Sequence, residues 1–217
     1  MENLQKLLKN NNLSSAVILD ASHNFQEFWK DFIIENDFKD RKKAILNLWN
    51  PFKSKLPKTF SLIENNLENI FLIKHNNEIK LIYVFVVNSN TLVYEGRQPI
   101  QNHPFLENIP LDIRKFYIDL HNGWFESISG ALGFLSLDDI QFLDELEWGI
   151  LDEIETPDID LSKTYFIFHN AGPGYLCINI ENIFEPRYLI WWTHKEPKYD
   201  IEFWSFIDAW IEIGLTN

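Results

Sequence analysis

The chain has 217 residues, of which 46% are hydrophobic and 15% aromatic, a composition that excludes intrinsic disorder and fits one large or two small globular domains. Its net charge of −13 is unevenly placed: residues 1–100 hold 13 Lys and Arg against 11 Asp and Glu, whereas residues 101–217 hold 6 against 21. The excess negative charge of residues 101–217 repels phosphate groups, which argues against direct binding to nucleic acid or to an anionic membrane surface.

Cysteine content and hydropathy indicate the compartment. The single cysteine, Cys177, excludes an internal disulfide and fits a reducing environment. The N-terminus lacks the apolar run of a secretory signal, and the most apolar segment, residues 79–87, has about half the length of a membrane span. The sequence therefore predicts a soluble, cytoplasmic protein.

Apolar residues at helical spacing predict three helices at the start of the chain. The first carries the stripe Leu4, Leu7 and Leu8. The second begins near Asn24 and carries the stripe Phe25, Phe28, Trp29, Phe32 and Ile33. The third spans residues 41–49 and ends before Pro51, because proline does not continue a helix.

Three strands follow, at residues 69–75, 79–88 and 91–95, joined by Asn-rich turns that tolerate positive φ. The polar residues 96–104 then predict a boundary. We therefore divide the chain into region 1–100, whose helices and hairpins extend the following domain or form a small lobe, and region 101–217.

Region 101–217 begins with a predicted helix after Pro110, whose apolar stripe ends before Asn122-Gly123. Its members are Ile113, Phe116, Tyr117 and Leu120. Ser136, followed three residues later by Asp139, resembles a capping box and predicts a helix that continues to about Glu147.

The remaining pattern is a hairpin, a strand and a closing helix. Strands at 165–170 and 175–179 flank a tight turn, a strand at 187–193 follows, and Trp191 and Trp192 point to opposite faces of it. The last helix ends at Gly214 and carries the stripe Phe203, Ile207, Trp210 and Ile211. The whole order predicts an α+β fold: a mixed, mostly antiparallel sheet flanked by helices.

Residues 116–162 hold twelve Asp or Glu and no Lys or Arg, interleaved with aromatic residues. An uncompensated acidic run with embedded aromatic rings is typical of a surface that meets a basic protein, although a solvated face without a partner has the same composition. The candidate partner-contact residues are Trp124, Asp138, Asp139, Asp144, Glu145, Glu147, Trp148, Asp152, Glu153 and Glu155.

Enzymatic patterns are weak, so we predict no catalytic residue, no metal and no cofactor. The six histidines lack zinc-site spacing, and residues 171–174 lack the Lys of a phosphate-binding loop. Cys177 lies in the middle of an apolar strand, where an inert thiol is expected. Asp152 and Glu153 are adjacent in sequence, which does not fix the separation that a glycosidase needs.

Five motifs follow one another over residues 105–213, namely P-x-x-I-x-x-F-Y-x-x-L-H-N-G (110–123), G-F-L-S-L-D-D-I (133–140), F-x-F-H-N-A-G-P-G-Y-L-C-I-N (166–179), W-W-T-H (191–194) and S-F-x-x-x-W (205–210). Their order resembles the SUKH superfamily, the Smi/Knr-like group. The resemblance implies an α+β protein-interaction domain, in bacteria most often an immunity protein that neutralises a cognate toxin. It brings no catalytic residues, and the first 100 residues are longer than the usual lead-in.

Three hypotheses follow. The leading one is an immunity protein, a monomer or weak homodimer, whose acidic surface occludes the active site of a basic, nuclease-type C-terminal toxin domain. The alternative is an intracellular Smi/Knr-like regulatory scaffold without a toxin partner. The third is an unrecognised enzyme, which a concave pocket of convergent acids with a histidine would support.

Overall fold

The structure, a computed structural model, describes residues 2–11, 13–20, 29 and 37–216. Ten strands in this part of the chain form one sheet of order β1-β2-β3-β4-β5-β6-β8-β9-β10, with β7 paired to β8, and each pairing is antiparallel. Helices pack against the sheet, so the predicted α+β class is confirmed.

The strands are β1 (Val17–Ile18), β2 (Leu67–His75), β3 (Glu78–Val87), β4 (Asn90–Arg97), β5 (Trp124–Glu126), β6 (Leu132–Phe134), β7 (Gln141–Phe142), β8 (Thr164–Asn170), β9 (Gly174–Asn179) and β10 (Arg187–Trp192). Because β4 pairs with β5, strands from both regions predicted from the sequence belong to the same sheet. The predicted strands of residues 69–95, 165–179 and 187–193 are confirmed to within a few residues.

The helices of the described residues are α1 (Glu2–Asn10), α2 (Phe38–Trp49), α3 (Pro57–Asn66), α4 (Leu111–Lys115) and α5 (Phe203–Thr216), and a π-helical turn, Phe116–Leu120, continues α4. Asp37 begins α2 by accepting a hydrogen bond from the amide of Lys39 at 2.8 Å. The sequence did not predict α3, which has Pro57 at its first position. The helix predicted from Asn24 lies outside the described residues, apart from Trp29, which is buried.

Two tight turns explain why the first hairpins form. Asn76 and Asn77 join β2 to β3 with φ of 49° and 66°, and Asn88 and Ser89 join β3 to β4 with φ of 50° and 67°. Positive φ at both central residues matches the twist of the flanking strands, and Asn tolerates it well. These turns fix the register of the longest strands.

The sheet has two differently covered faces. On the helix face, α2, α3, α4 and α5 bury the main core. On the opposite face, Leu8 of α1 packs on the β2–β4 end. At the β8–β10 end of that face the layer is not a helix but the segment 143–161, which we call the acidic cover.

The helix predicted over residues 136–147 is wrong. The chain there makes two short 3₁₀ turns, Leu137–Asp139 and Leu143–Glu145, on either side of β7. The hydroxyl of Ser136 donates to the carboxylate of Asp139 at 2.5 Å instead of accepting from a helical amide. Pairing of β7 with β8 then satisfies backbone groups that a helix would have satisfied internally.

Candidate partner-binding surface

The acidic cover is attached to the sheet by its apolar side chains. Leu143 and Ile150 are buried against strands β8, β9 and β10, where they meet Cys177 and Trp191. Burial of this kind contributes about 1.5–3 kcal/mol for each large aliphatic side chain. The cover therefore has a defined position although it contains little regular structure.

Trp148 fixes the middle of the acidic cover. Its indole N–H donates to the carbonyl oxygen of Leu143 at 2.7 Å. The ring packs edge-on against Tyr175 and Trp191, with centroid distances of 5.5 and 5.6 Å. Trp148 is half-buried, so one part of the ring anchors the cover and the remainder faces solvent.

The carboxylates of the acidic cover are exposed, and one of them, Asp158, lies 3.3 Å from Nη1 of Arg187. Within the described ranges, no Lys, Arg or His nitrogen lies within 4.0 Å of five of the predicted contact residues. They are Asp144, Glu147, Asp152, Glu153 and Glu155, and all five are exposed. A sixth, Glu145, accepts the backbone N–H of Phe142 at 2.9 Å and so serves the local fold as well.

Asp138 and Asp139 precede the acidic cover and are exposed, but they have partners. Asp138 lies 3.0 Å from Nε2 of His103, and Asp139 lies 3.3 Å from Nη1 of Arg97. Arg97 also donates to the hydroxyl of Ser136 at 2.8 Å. These two acids therefore hold the turn at 137–139 in place and offer less free negative charge to a partner.

Trp124 was wrongly predicted as a partner contact. It lies on β5, in the middle of the sheet, and is completely buried. Its ring stacks on Tyr94 at 4.4 Å and meets Trp49 edge-on at 5.0 Å. Phe134, another ring of the acidic stretch, is also fully buried, so both residues build the core of the helix face.

Leu146 is an exposed apolar side chain of the acidic cover that the sequence did not single out. It is 38% exposed and stands between Glu145 and Glu147. Leu146 directly follows the 3₁₀ turn Leu143–Glu145, and its side chain is exposed there. The surface thus combines Leu146 and the exposed edge of Trp148 with free carboxylates.

Burial shifts the pKa of two groups on β8 and β9, Cys177 and His169. Burial raises the pKa of the Cys177 thiol, which keeps it protonated and unreactive. Burial lowers the pKa of His169, whose ring stacks on Tyr175 at 4.4 Å. Among the residues that the structure describes, no group of three or more His, Cys, Asp or Glu is placed to hold a metal ion.

Comparisons with family models, with curated proteins and with solved structures find no match to this chain. In the described part of the chain, no helix has both the length and the apolar character needed to cross a membrane.

Proposed function

We propose that this chain is a stoichiometric protein inhibitor of the immunity-protein type, which acts in the cytoplasm and binds a basic toxin domain through the acidic cover. The observation that carries the proposal is the set of five exposed carboxylates without cationic partners among the described residues, on a segment that Leu143 and Ile150 anchor to the sheet. It has no catalytic residue of its own and works by occlusion.

Charged and apolar side chains have different roles in binding: the first set the association rate, and the second set the affinity. Unpaired carboxylates attract a basic protein over long distances, which raises association rates toward about 10⁸–10⁹ M⁻¹s⁻¹ at low salt. Exposed charge pairs add little to affinity, because water and salt screen them. Retention therefore depends on Leu146 and Trp148, apolar side chains that a partner desolvates between the acids.

The resemblance to the SUKH superfamily supports the same proposal, and its matching residues have structural roles here. The side-chain oxygen of Asn122 accepts the N–H of Leu137 at 2.9 Å, and Gly123 adopts φ of 90°. A side chain at Gly174 would collide with Asn170 and Trp192. Such residues maintain the scaffold on which the acidic cover lies.

The test takes as partner the C-terminal domain of the protein that the adjacent gene encodes, and measures association rates at several salt concentrations. One variant reverses Asp144, Glu147, Asp152 and Glu153 to Lys. The control variant makes the same change of net charge at exposed acids elsewhere, namely Glu64, Glu68, Asp119 and Glu202. We expect the first variant to associate at least tenfold more slowly than the control variant and with a weaker dependence on salt.

Equal rates for the two variants would contradict the assignment of the acidic cover. Loss of toxicity on co-expression of the wild-type chain, but not of the first variant, would support inhibition in cells. Weak binding to several unrelated proteins and none to the neighbouring domain would instead favour the regulatory scaffold.

A further inference from the structure

A second surface lies away from the acidic cover, between the start of α4 and the turn that joins β9 to β10. It is a groove of about 520 Å³, which we call the Phe184 groove. Its apolar lining consists of Ile109, Pro110, Leu111, Ile183, Phe184, Pro186 and Tyr188.

Two apolar side chains of this groove are unusually exposed. Phe184 is 92% exposed and Leu111 is 75% exposed, the two highest values among the large hydrophobic residues that the structure describes. A single exposed apolar residue is ordinary on a protein surface. Two of them on the walls of one groove form a contiguous apolar patch, which marks an interaction site.

The groove is preformed and belongs to the helix face. Tyr188 lines it and packs against Phe203 of α5, with ring centroids 5.0 Å apart. Pro110 and Pro186 restrict the backbone on the two sides. The guanidinium of Arg114 donates to the carbonyl oxygen of Ile109 at 3.1 and 3.3 Å, which fixes the start of α4. Binding at such a site costs little reorganisation.

Charged groups flank the apolar lining. Glu107, Asp112 and Arg114 line the groove, and Glu185 is adjacent to Phe184 in the turn. Asp112 is already engaged by Lys55 at 3.1 Å and by the indole N–H of Trp204 at 2.7 Å. Glu107 has no cationic partner among the described residues, and neither has Glu185. Arg114 is directed to the carbonyl oxygen of Ile109, so the two carboxylates left to meet a cation are Glu107 on the α4 side and Glu185 on the turn side.

We propose that the Phe184 groove binds an amphipathic basic segment of a protein partner. An apolar side chain of that segment enters between Leu111 and Phe184, and flanking Lys or Arg residues meet Glu107 and Glu185. The inference is independent of the proposed toxin inhibition, because the groove and the acidic cover lie on opposite faces of the sheet.

The test measures binding of a fluorescent peptide of alternating Lys and Leu to the full chain, with a peptide of Lys and Ser as the probe for charge alone. The double variant Phe184→Ser, Leu111→Ser removes both apolar walls. The matched control, Ile128→Ser, Ile213→Ser, changes side chains that are 57% and 52% exposed elsewhere. Circular dichroism verifies that each variant keeps its fold.

We expect the Lys and Leu peptide to bind the wild type at least tenfold more tightly than the Lys and Ser peptide does. The double variant should lose at least tenfold in affinity and the control less than twofold. Equal binding by the wild type and the double variant would overturn the proposal. So would sedimentation of the wild type as a dimer that Phe184→Ser dissociates, because a second copy would then occupy the groove. Binding to anionic vesicles that the double variant loses would assign the groove to membranes instead.

Discussion

The hydroxyl of Tyr83 lies 2.6 Å from Nε2 of His121 in the core of the helix face, where both residues are fully buried. The indole N–H of Trp49 donates to the same hydroxyl at 3.1 Å, and Nδ1 of His121 lies 3.2 Å from the carbonyl oxygen of Arg97. One assignment satisfies every group: Nδ1–H donates to Arg97, and Nε2 accepts from Tyr83. The neutral imidazole is therefore the form that the core accommodates.

This network predicts acid sensitivity. Burial lowers the pKa of His121 to about 3, from 6.5 in the unfolded chain. Below pH 6.5 the unfolded chain binds a proton at His121 that the folded chain does not bind, and this favours unfolding. The stability that the neutral His121 contributes is therefore fully present above pH 6.5 and is lost as the pH falls toward 3. Between pH 6.5 and 5 the free energy of unfolding should fall by about 2 kcal/mol, at about 1.4 kcal/mol per pH unit, in urea titrations.

The variant His121→Leu provides the control for this prediction. It is less stable at pH 7, because Tyr83 loses its acceptor, but its stability should fall much less than that of the wild type between pH 6.5 and 5, because only the contribution of the less buried His169, whose pKa is also lowered, remains. His194→Asn, at an exposed histidine, should retain the wild-type slope. If the free energy of unfolding of His121→Leu depends on pH as steeply as that of the wild type, another group causes the acid sensitivity.

Any larger residue at Gly96 is predicted to lower the stability of the fold, because the imidazole of His121 lies directly over this glycine. A Cβ at residue 96 would collide with Nδ1 and Cε1 of that ring. Overpacking of this kind costs about 1–3 kcal/mol, so Gly96→Ala should lower the free energy of unfolding by that amount. In the His121→Ala background, Gly96→Ala should lower the free energy of unfolding much less. Gly149→Ala is the second control and should leave that free energy unchanged, because no atom lies within 4 Å of the new Cβ.

Asp208 of α5 is predicted to stabilise a different helix, α3. Its buried carboxylate accepts the backbone N–H groups of Lys58 and Thr59 at 3.0 and 2.8 Å and the hydroxyl of Thr59 at 2.8 Å. The residue before α3, Leu56, has no side-chain acceptor. Asp208→Ala should cost at least about 2 kcal/mol, because it leaves buried donors without a partner.

Thermal or urea unfolding measures the effect of Asp208→Ala, and Glu212→Ala on the same helix is the matched control. Glu212 makes only an exposed ion pair with Lys58, and its loss should change stability by less than about 1 kcal/mol. If the two alanine variants are equally stable, the capping role of Asp208 is refuted.

Substitution of two leucines of the acidic cover distinguishes a residue that stabilises the fold from one that is free to contact a partner. Leu143 is fully buried and Leu146 is 38% exposed. Leu143→Ala should lower the free energy of unfolding by about 2–5 kcal/mol, whereas Leu146→Ala should change it by less than about 0.5 kcal/mol. Hydrogen exchange of residues 143–161 should accelerate in the first variant only. Faster exchange in Leu146→Ala would place that side chain in the core.

Local chemistry made the hairpins predictable. The turns at Asn76-Asn77 and Asn88-Ser89 are specified by neighbouring residues, and the strands beside them alternate or are continuously apolar. The stripe after Pro110 was equally informative, because its four predicted residues, Ile113, Phe116, Tyr117 and Leu120, are all buried.

Distant contacts determined what the sequence analysis missed. Residues 136–147 satisfy a helical pattern, but β7 pairs with Tyr165 and Phe166, and this pairing prevails over local propensity. Trp124 has acidic residues near it in sequence, yet its burial depends on Tyr94 and Trp49 from other elements. Leu146 is exposed directly after the 3₁₀ turn Leu143–Glu145, which the sequence did not predict either.

The bond between Asp208 and Thr59 joins residues 149 positions apart, whereas most strands pair with a neighbour in the chain. During synthesis the hairpins are therefore able to form as they leave the ribosome. The N-terminus of α3 is capped only after Asp208, near the end of the chain, has emerged. A nascent chain halted before residue 208 keeps the beginning of α3 unsatisfied and its apolar side open, which makes it a substrate for chaperones rather than a finished protein.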